Sequence, residues 1–269
     1  MAARANEVKY NHRVFILADR FRLTSLVFLH GVGGGHHSWD DQLPFFAGHG
    51  FGAHAWDQPG YGHSATVDPY DFESIAAALA RLIVSLEDGP VVLVGHSMGG
   101  FVAQETWIRH PALVKGLALC FTSAAFGGAD ATFAREFVAD RTRPLDAGES
   151  MAEIAARIMP TMRGSRSGAA GAAHAERVMA LVPPETYRKA IAMLPTFDRR
   201  ASLQHITVPT LLVAGSDDTV SPPGVMQRMA REIPGANWVQ LDGCGHLGPM
   251  DQPDAFNAAL LGFLKKRGL

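Results

Sequence analysis

Short apolar runs recur along the chain at wide intervals: Leu26–Leu29 (LVFL), Val91–Val94 (VVLV), Leu117–Cys120 (LALC) and Leu211–Ala214 (LLVA). They do not alternate with polar positions, and glycine or small polar residues follow closely. Runs of this length, rich in Val and Leu, read as parallel strands buried on both faces. A further strand is expected at Asn237–Leu241, before Asp242-Gly243. Between the runs lie stretches of helical composition. Asp71–Glu87 opens acidic and continues IAAALARLIVSL, and Met98–His110 leads into Pro111. Pro222–Ile233 opens on prolines, and Asp251–Lys266 starts acidic and ends basic, as the helix dipole favours. Strand and helix alternate, which predicts a doubly wound, mostly parallel α/β sheet. An antiparallel start is expected at Val8–Tyr10 and Val14–Ala18.

The alternation stops between positions 126 and 205, where no strand-like run occurs. Ala-, Met- and Arg-rich pieces take its place, at Ala131–Asp140, Ser150–Met162 and Ala170–Leu181, separated by Gly or Pro. The expected organisation is a core domain of residues 1–125 and 206–269, with residues 126–205 as a helical insertion. Ligands of open α/β sheets bind beyond the carboxyl ends of the strands, so this insertion is read as a lid over that edge.

With 269 residues, 47% hydrophobic and 19% charged, the chain can bury a substantial core and is not of disordered composition. Twenty-four basic against twenty-six acidic side chains leave no broad positive surface, which argues against nucleic acid as a partner. The stretch MAARANEVKYNHR has charges and no apolar h-region, and the longest apolar run, Ile75–Leu86, is broken by Arg81. A soluble, cytoplasmic protein without membrane contact is expected, with a small molecule as its partner and a homodimer left open.

The chemistry gathers at Gly95-His96-Ser97-Met98-Gly99-Gly100, a G-x-S-x-G sequence between a predicted strand and a predicted helix. Such a turn holds a serine hydroxyl out at the positive end of the helix, and its small neighbours avoid clashes. A serine nucleophile needs a base, and the base needs an orienting acid. Asp217 and Asp218 follow the Leu211–Ala214 strand, and His246 follows Asn237–Leu241. The order Ser, Asp, His is the one associated with this turn. His30-Gly31-Val32-Gly33-Gly34-Gly35 supplies backbone N–H groups that can face an oxyanion beside that of Met98. It matches neither phosphate-loop spacing, and no Lys follows it.

Taken together, HGVGGG (30–35), WDQPGYGHS (56–64), GHSMGG (95–100), GSDDTVSP (215–222) and GCGHLGPMDQPDAF (243–256) resemble the motifs of the α/β-hydrolase superfamily along nearly the whole chain. The resemblance implies an eight-stranded sheet with a helical cap inserted after strand 6. It implies Ser97 as nucleophile, His246 as general base, Asp218 rather than Asp217 as the acid, and the N–H groups of Val32 and Met98 as the oxyanion hole. Asp57 matches a structural turn of the family. The likeness is nearest to small carboxylesterases and enol-lactone hydrolases, so the expected activity is serine hydrolysis of a small carboxylic ester or lactone, with no cofactor and no metal. Family members with an aspartate nucleophile are disfavoured by Ser97. The family's C–C bond hydrolases often have Asn before the nucleophile and an aromatic residue after the histidine, where this chain has His96 and Leu247. C–C hydrolysis of a meta-cleavage-type diketone, perhydrolase or haloperoxidase activity, and a receptor on a hydrolase scaffold remain alternatives.

Phe126, Phe133, Phe137, Met159, Met162 and Phe197 are candidates to line an acyl pocket. The twelve histidines show no ligand spacing for zinc, and Cys120 and Cys244 form no Cys-x-x-Cys pair. Ten arginines lie between 126 and 205; one could clamp a carboxylate on an anionic substrate, but a solvated face is the expected role.

Overall fold

Successive residues of each apolar run go to opposite faces of one sheet. The structure is a computed structural model describing residues 12–15, 23–126 and 131–269. Its strands are β1 (His12–Phe15), β2 (Ser25–Leu29), β3 (Gly52–Trp56), β4 (Val91–His96), β5 (Val114–Cys120), β6 (Thr210–Gly215) and β7 (Asn237–Leu241). They are ordered β1-β3-β2-β4-β5-β6-β7, with β1 antiparallel to β3 and all other neighbours parallel. In β2, Val27 and Leu29 join one apolar cluster while Leu26 and Phe28 join another. Leu93 against Val92 and Val94 in β4, and Leu212 and Ala214 against Leu211 and Val213 in β6, divide in the same way. This two-sided burial is why the runs lack polar alternation.

Eight strands are expected and seven are described. The strand predicted at Val8–Tyr10 lies outside the described residues. The second predicted strand of that start is seen in part, as β1. In this count the helical segment follows β5 rather than a sixth strand.

One face is covered by α2 (Phe72–Leu86), α3 (Met98–Arg109) and α8 (Pro223–Glu232), the other by α1 (Gln42–Gly48) and α10 (Pro253–Arg267). Asp71 caps α2 by accepting from the Ser74 N–H at 2.8 Å. Its apolar stripe Ile75, Leu79, Leu82 and Ile83 is buried, and Glu87 closes it in a left-handed conformation. The helix predicted over Asp251–Lys266 is divided: a short α9 (Gly248–Asp251) ends at Gln252, and Pro253 opens α10.

Between β5 and β6 come α4 (Ala131–Asp146), α5 (Met151–Ile158), α6 (Ala169–Ala180) and α7 (Pro184–Met193). Ser150 and Glu153 form a capping box that starts α5. Three of these helices begin close to the predicted positions. The fourth, α7, is hidden in the sequence by two prolines and a polar first turn. Among the described residues no helix is long and apolar enough to cross a membrane.

Candidate active site

Strands β4, β6 and β7 run parallel, so the loops leaving them emerge at one edge of the sheet. Ser97 stands between β4 and α3 with φ 53° and ψ −119°, a strained left-handed conformation for a residue with a side chain. The turn is held by the Ser97 N–H donating to the Cys120 carbonyl at 3.0 Å and by the Thr122 hydroxyl donating to the Ser97 carbonyl at 2.8 Å. Its glycines are set by close approach. A Cβ on Gly99 would run into the Leu29 carbonyl, and one on Gly95 would meet the Gly99 carbonyl.

Asp218 follows β6 and His246 follows β7. The Ser97 hydroxyl lies 3.0 Å from His246 Nε2, and His246 Nδ1 lies 2.8 Å from Asp218 Oδ2. Asp218 Oδ1 accepts from the N–H groups of Val220 and Ser221 at 2.8 and 2.9 Å. Burial alone would raise the Asp218 carboxyl, but His246 beside it and these backbone donors outweigh that and hold it below the usual aspartate value. A carboxylate can only accept, so the proton of His246 sits on Nδ1 and Nε2 is left to accept from the serine. The arrangement can take a proton from Ser97 and stabilise the resulting imidazolium.

Asp217 points elsewhere. It accepts from the Ser165 N–H at 2.8 Å and the Ser165 hydroxyl at 2.6 Å, and these bonds draw its carboxyl down to about 2. Asp57 likewise serves structure, holding the His36 N–H at 2.7 Å and the His36 ring at 2.9 Å.

Val32 and Met98 both border a cavity of about 560 Å³ that opens beside Ser97 and His246. Five of the six pocket candidates line it: Phe126, Phe133, Phe137, Met159 and Met162. Phe197 does not. It is buried in the core, stacked on Phe101 at 4.2 Å between centroids and tilted against Phe72 at 4.9 Å. Burial against these two rings makes it a packing residue. Sequence reasoning missed Met179, Tyr187, Ile191 and Leu194 on the cavity wall. Their helices show amphipathic spacing, but the side that faces the cavity depends on how the helices pack against one another.

His96, next to Ser97, ties the serine turn to the loop that carries His246. Its Nε2 donates to the His246 carbonyl at 2.7 Å, and burial, aided by the nearby His246, pushes its pKa down to about 3. A neutral His96 thus anchors the backbone that carries His246. His30 is also buried, and desolvation lowers its pKa; its Nδ1 donates to the Gly31 carbonyl at 2.8 Å, while Nε2 accepts from the Gln58 N–H at 3.2 Å. Both cysteines are free and buried. Desolvation raises the Cys120 thiol and pushes Cys244 up to about 12, so neither forms thiolate near neutral pH. Among the described residues no group of three or more His, Cys, Asp or Glu is placed to hold a metal ion.

Comparison with known proteins places this geometry in a family. A relative from Mycobacterium tuberculosis strain H37Rv, named provisionally as non-heme bromoperoxidase BpoC, is 28% identical over 247 residues, spanning 88% of this chain and 92% of its own. A pimeloyl-(acyl-carrier protein) methyl ester esterase from Neisseria meningitidis serogroup C is 29% identical over 259 residues, with 88% and 92% covered. Among solved structures, a malate-bound thermophilic esterase from Thermogutta terrifontis matches with a TM-score of 0.84 at 27% identity, over 97% of this chain and 94% of that one. The model of the alpha/beta hydrolase family matches residues 26–259, from the first residues of β2 into α10. That span takes in the serine turn, both of its partners and the helices over the cavity, and by it the chain belongs to the alpha/beta hydrolase family.

Proposed function

We propose that the protein is a serine hydrolase that cleaves a small carboxylic ester or lactone through an acyl-enzyme. One observation carries this reading: the unbroken hydrogen-bonded chain from Ser97 through His246 to Asp218, at 3.0 and 2.8 Å, on the wall of a cavity lined largely by apolar side chains. Ser97 Oγ attacks the substrate carbonyl while His246 Nε2 takes its proton, and Asp218 holds the ring and stabilises its charge. The N–H groups of Val32 and Met98 receive the oxyanion, a donor of this kind being worth about 2.7–4 kcal/mol. His246 then protonates the leaving alkoxide, and a water molecule repeats the cycle on the acyl group. The names of the Neisseria and Thermogutta relatives, both esterases, support the choice of ester chemistry.

Residues 126–205 act in this account as a lid. Supporting it, Phe137, Met159 and Tyr187 of that segment wall the cavity, and the Met162 carbonyl accepts from the His246 N–H at 2.8 Å. The lid thereby sets which acyl and alcohol groups reach Ser97.

A second reading is favoured by the name of the Mycobacterium relative. Hydrogen peroxide attacking the same acyl-enzyme in place of water would release a peracid, with His246 taking the peroxide proton.

The test is turnover of p-nitrophenyl esters of increasing acyl length and one enol-lactone, with and without peroxide. The native chain is expected to hydrolyse at least the short esters, and Ser97→Ala to reduce kcat by about 10⁶. Equal turnover by native chain and Ser97→Ala would refute the assignment.

A further inference from the structure

The helical segment is rich in arginine, and most of these side chains have carboxylate partners. On the same helix as Arg141, Arg143 pairs with Asp140 at 2.8 Å; elsewhere in the segment Arg157 pairs with Glu149 at 2.6 Å and Arg188 with Asp146 at 2.6 Å. Arg141 differs twice over. It lines the cavity that holds Ser97, and it is the one permanently charged side chain among the described residues that do so. No ion pair joins it to a carboxylate among the described residues; its guanidinium lies 5.4 Å from the centroid of the Phe137 ring, itself part of the cavity wall.

A guanidinium against apolar walls gives up part of its hydration, and an anion that enters the cavity offsets that cost. Its planar fork matches a carboxylate with two parallel N–H donors. The cation–π contact with Phe137 restricts where the guanidinium lies and lowers the ordering cost of binding. Burial raises the pKa of the Tyr187 phenol, and Arg141 is among the charges that oppose the shift, so the Tyr187 hydroxyl lies within its field on the same wall. A phenol there can donate to the same anion.

We propose that Arg141 is a specificity-determining residue that receives a substrate carboxylate remote from the scissile carbonyl, which makes the substrate a monoester of a dicarboxylic acid, an ester of a hydroxy acid, or a lactone with a free carboxylate. This deepens the hydrolase reading above and rests on it. If Arg141 only packs on Phe137, anionic and neutral esters will respond alike to its loss.

The experiment compares the native chain with Arg141→Gln and Arg141→Lys on three substrate series: monomethyl esters of succinic to suberic acid, O-acetyl ω-hydroxy acids, and uncharged methyl esters of matched length. In at least one anionic series Arg141→Gln is expected to lower kcat/KM by about tenfold or more, chiefly through KM. Arg141→Lys should keep part of it, and the uncharged series should stay within about twofold. A loss shared equally by charged and uncharged esters, or no loss in either anionic series, overturns the proposal while leaving the hydrolase reading intact. Calorimetric binding of the same anionic esters to Ser97→Ala, with and without Arg141→Gln, gives a readout that needs no turnover. A drop in affinity of about tenfold upholds the proposal, and unchanged affinity overturns it. Absence of turnover by the native chain on every ester would instead count against the hydrolase reading.

Discussion

Asp217 and Asp218 are neighbours with opposite surroundings, and only Asp218 meets His246. The buried Asp218 accepts from the His246 ring and from two backbone N–H groups, whereas Asp217 is tied to Ser165 of the helical segment. Asn at 218 would turn an amide donor or a neutral acceptor toward Nδ1 and disturb the tautomer that leaves Nε2 free to accept. Asp218→Asn is therefore expected to lower kcat for a p-nitrophenyl ester by about 10⁴, with Asp217→Asn changing it by less than about tenfold. Comparable losses in the two variants would contradict this division. Both aspartates follow a buried strand, so composition and periodicity leave the choice between them open; only the resemblance of GSDDTVSP to the family's motif implied Asp218. Ser97 and His246 were legible because glycines surround both. His96 was not, since its hydrogen bond joins it to a carbonyl 150 positions away.

Among the elements, the Val- and Leu-rich strands announced themselves because burial on both faces removes polar residues. The strand β3, GAHAW, lacks that signature, yet every residue of it is buried between β1 and β2. Small Ala side chains and a buried His54 give it no run to notice. Of the four helices over the cavity, α4, α5 and α6 were visible as segments and α7 was not, and the direction of their side chains was hidden in all four. Phe137 and Phe197 show the difference: one faces the cavity, the other fills the core against Phe101 and Phe72. Phe197→Ala should cost about 3–5 kcal/mol in denaturant unfolding while leaving KM nearly unchanged for those molecules that fold. Phe137→Ala should do the reverse, shifting KM and acyl-length preference with a smaller loss of stability. Matching effects in the two variants would remove Phe197 from the core or Phe137 from the pocket.

Across the whole molecule, the loop after α5 fastens the helical segment to the site. The Arg166 N–H donates to the Gly243 carbonyl at 2.8 Å, its side chain pairs with Asp242, and the Ser167 hydroxyl donates to Asp251 at 2.6 Å. Burial raises the Asp251 pKa, against the pull of Ser167 and Arg163, and its Oδ1 is buried without a hydrogen-bond partner among the described residues. A carboxyl whose folded-state pKa is raised favours folding below its ordinary value of 3.8 and loses that contribution as pH climbs through the folded value. Asp251→Asn keeps an acceptor for Ser167 and removes the charge. Its melting temperature relative to the native chain should therefore be higher at pH 7 than at pH 4, and an equal difference at both would contradict the burial argument. Asp218, with its lowered pKa, favours folding in the opposite direction, but it is common to both proteins and cancels in the difference. Hydrolysis at this site requires an activated serine, and intact-protein mass spectrometry after exposure to a fluorophosphonate reads that directly. One phosphonyl group per chain, mapped to Ser97 and lost in both Ser97→Ala and His246→Ala, is the predicted result. An unlabelled native chain, or an adduct that persists in Ser97→Ala, would contradict it.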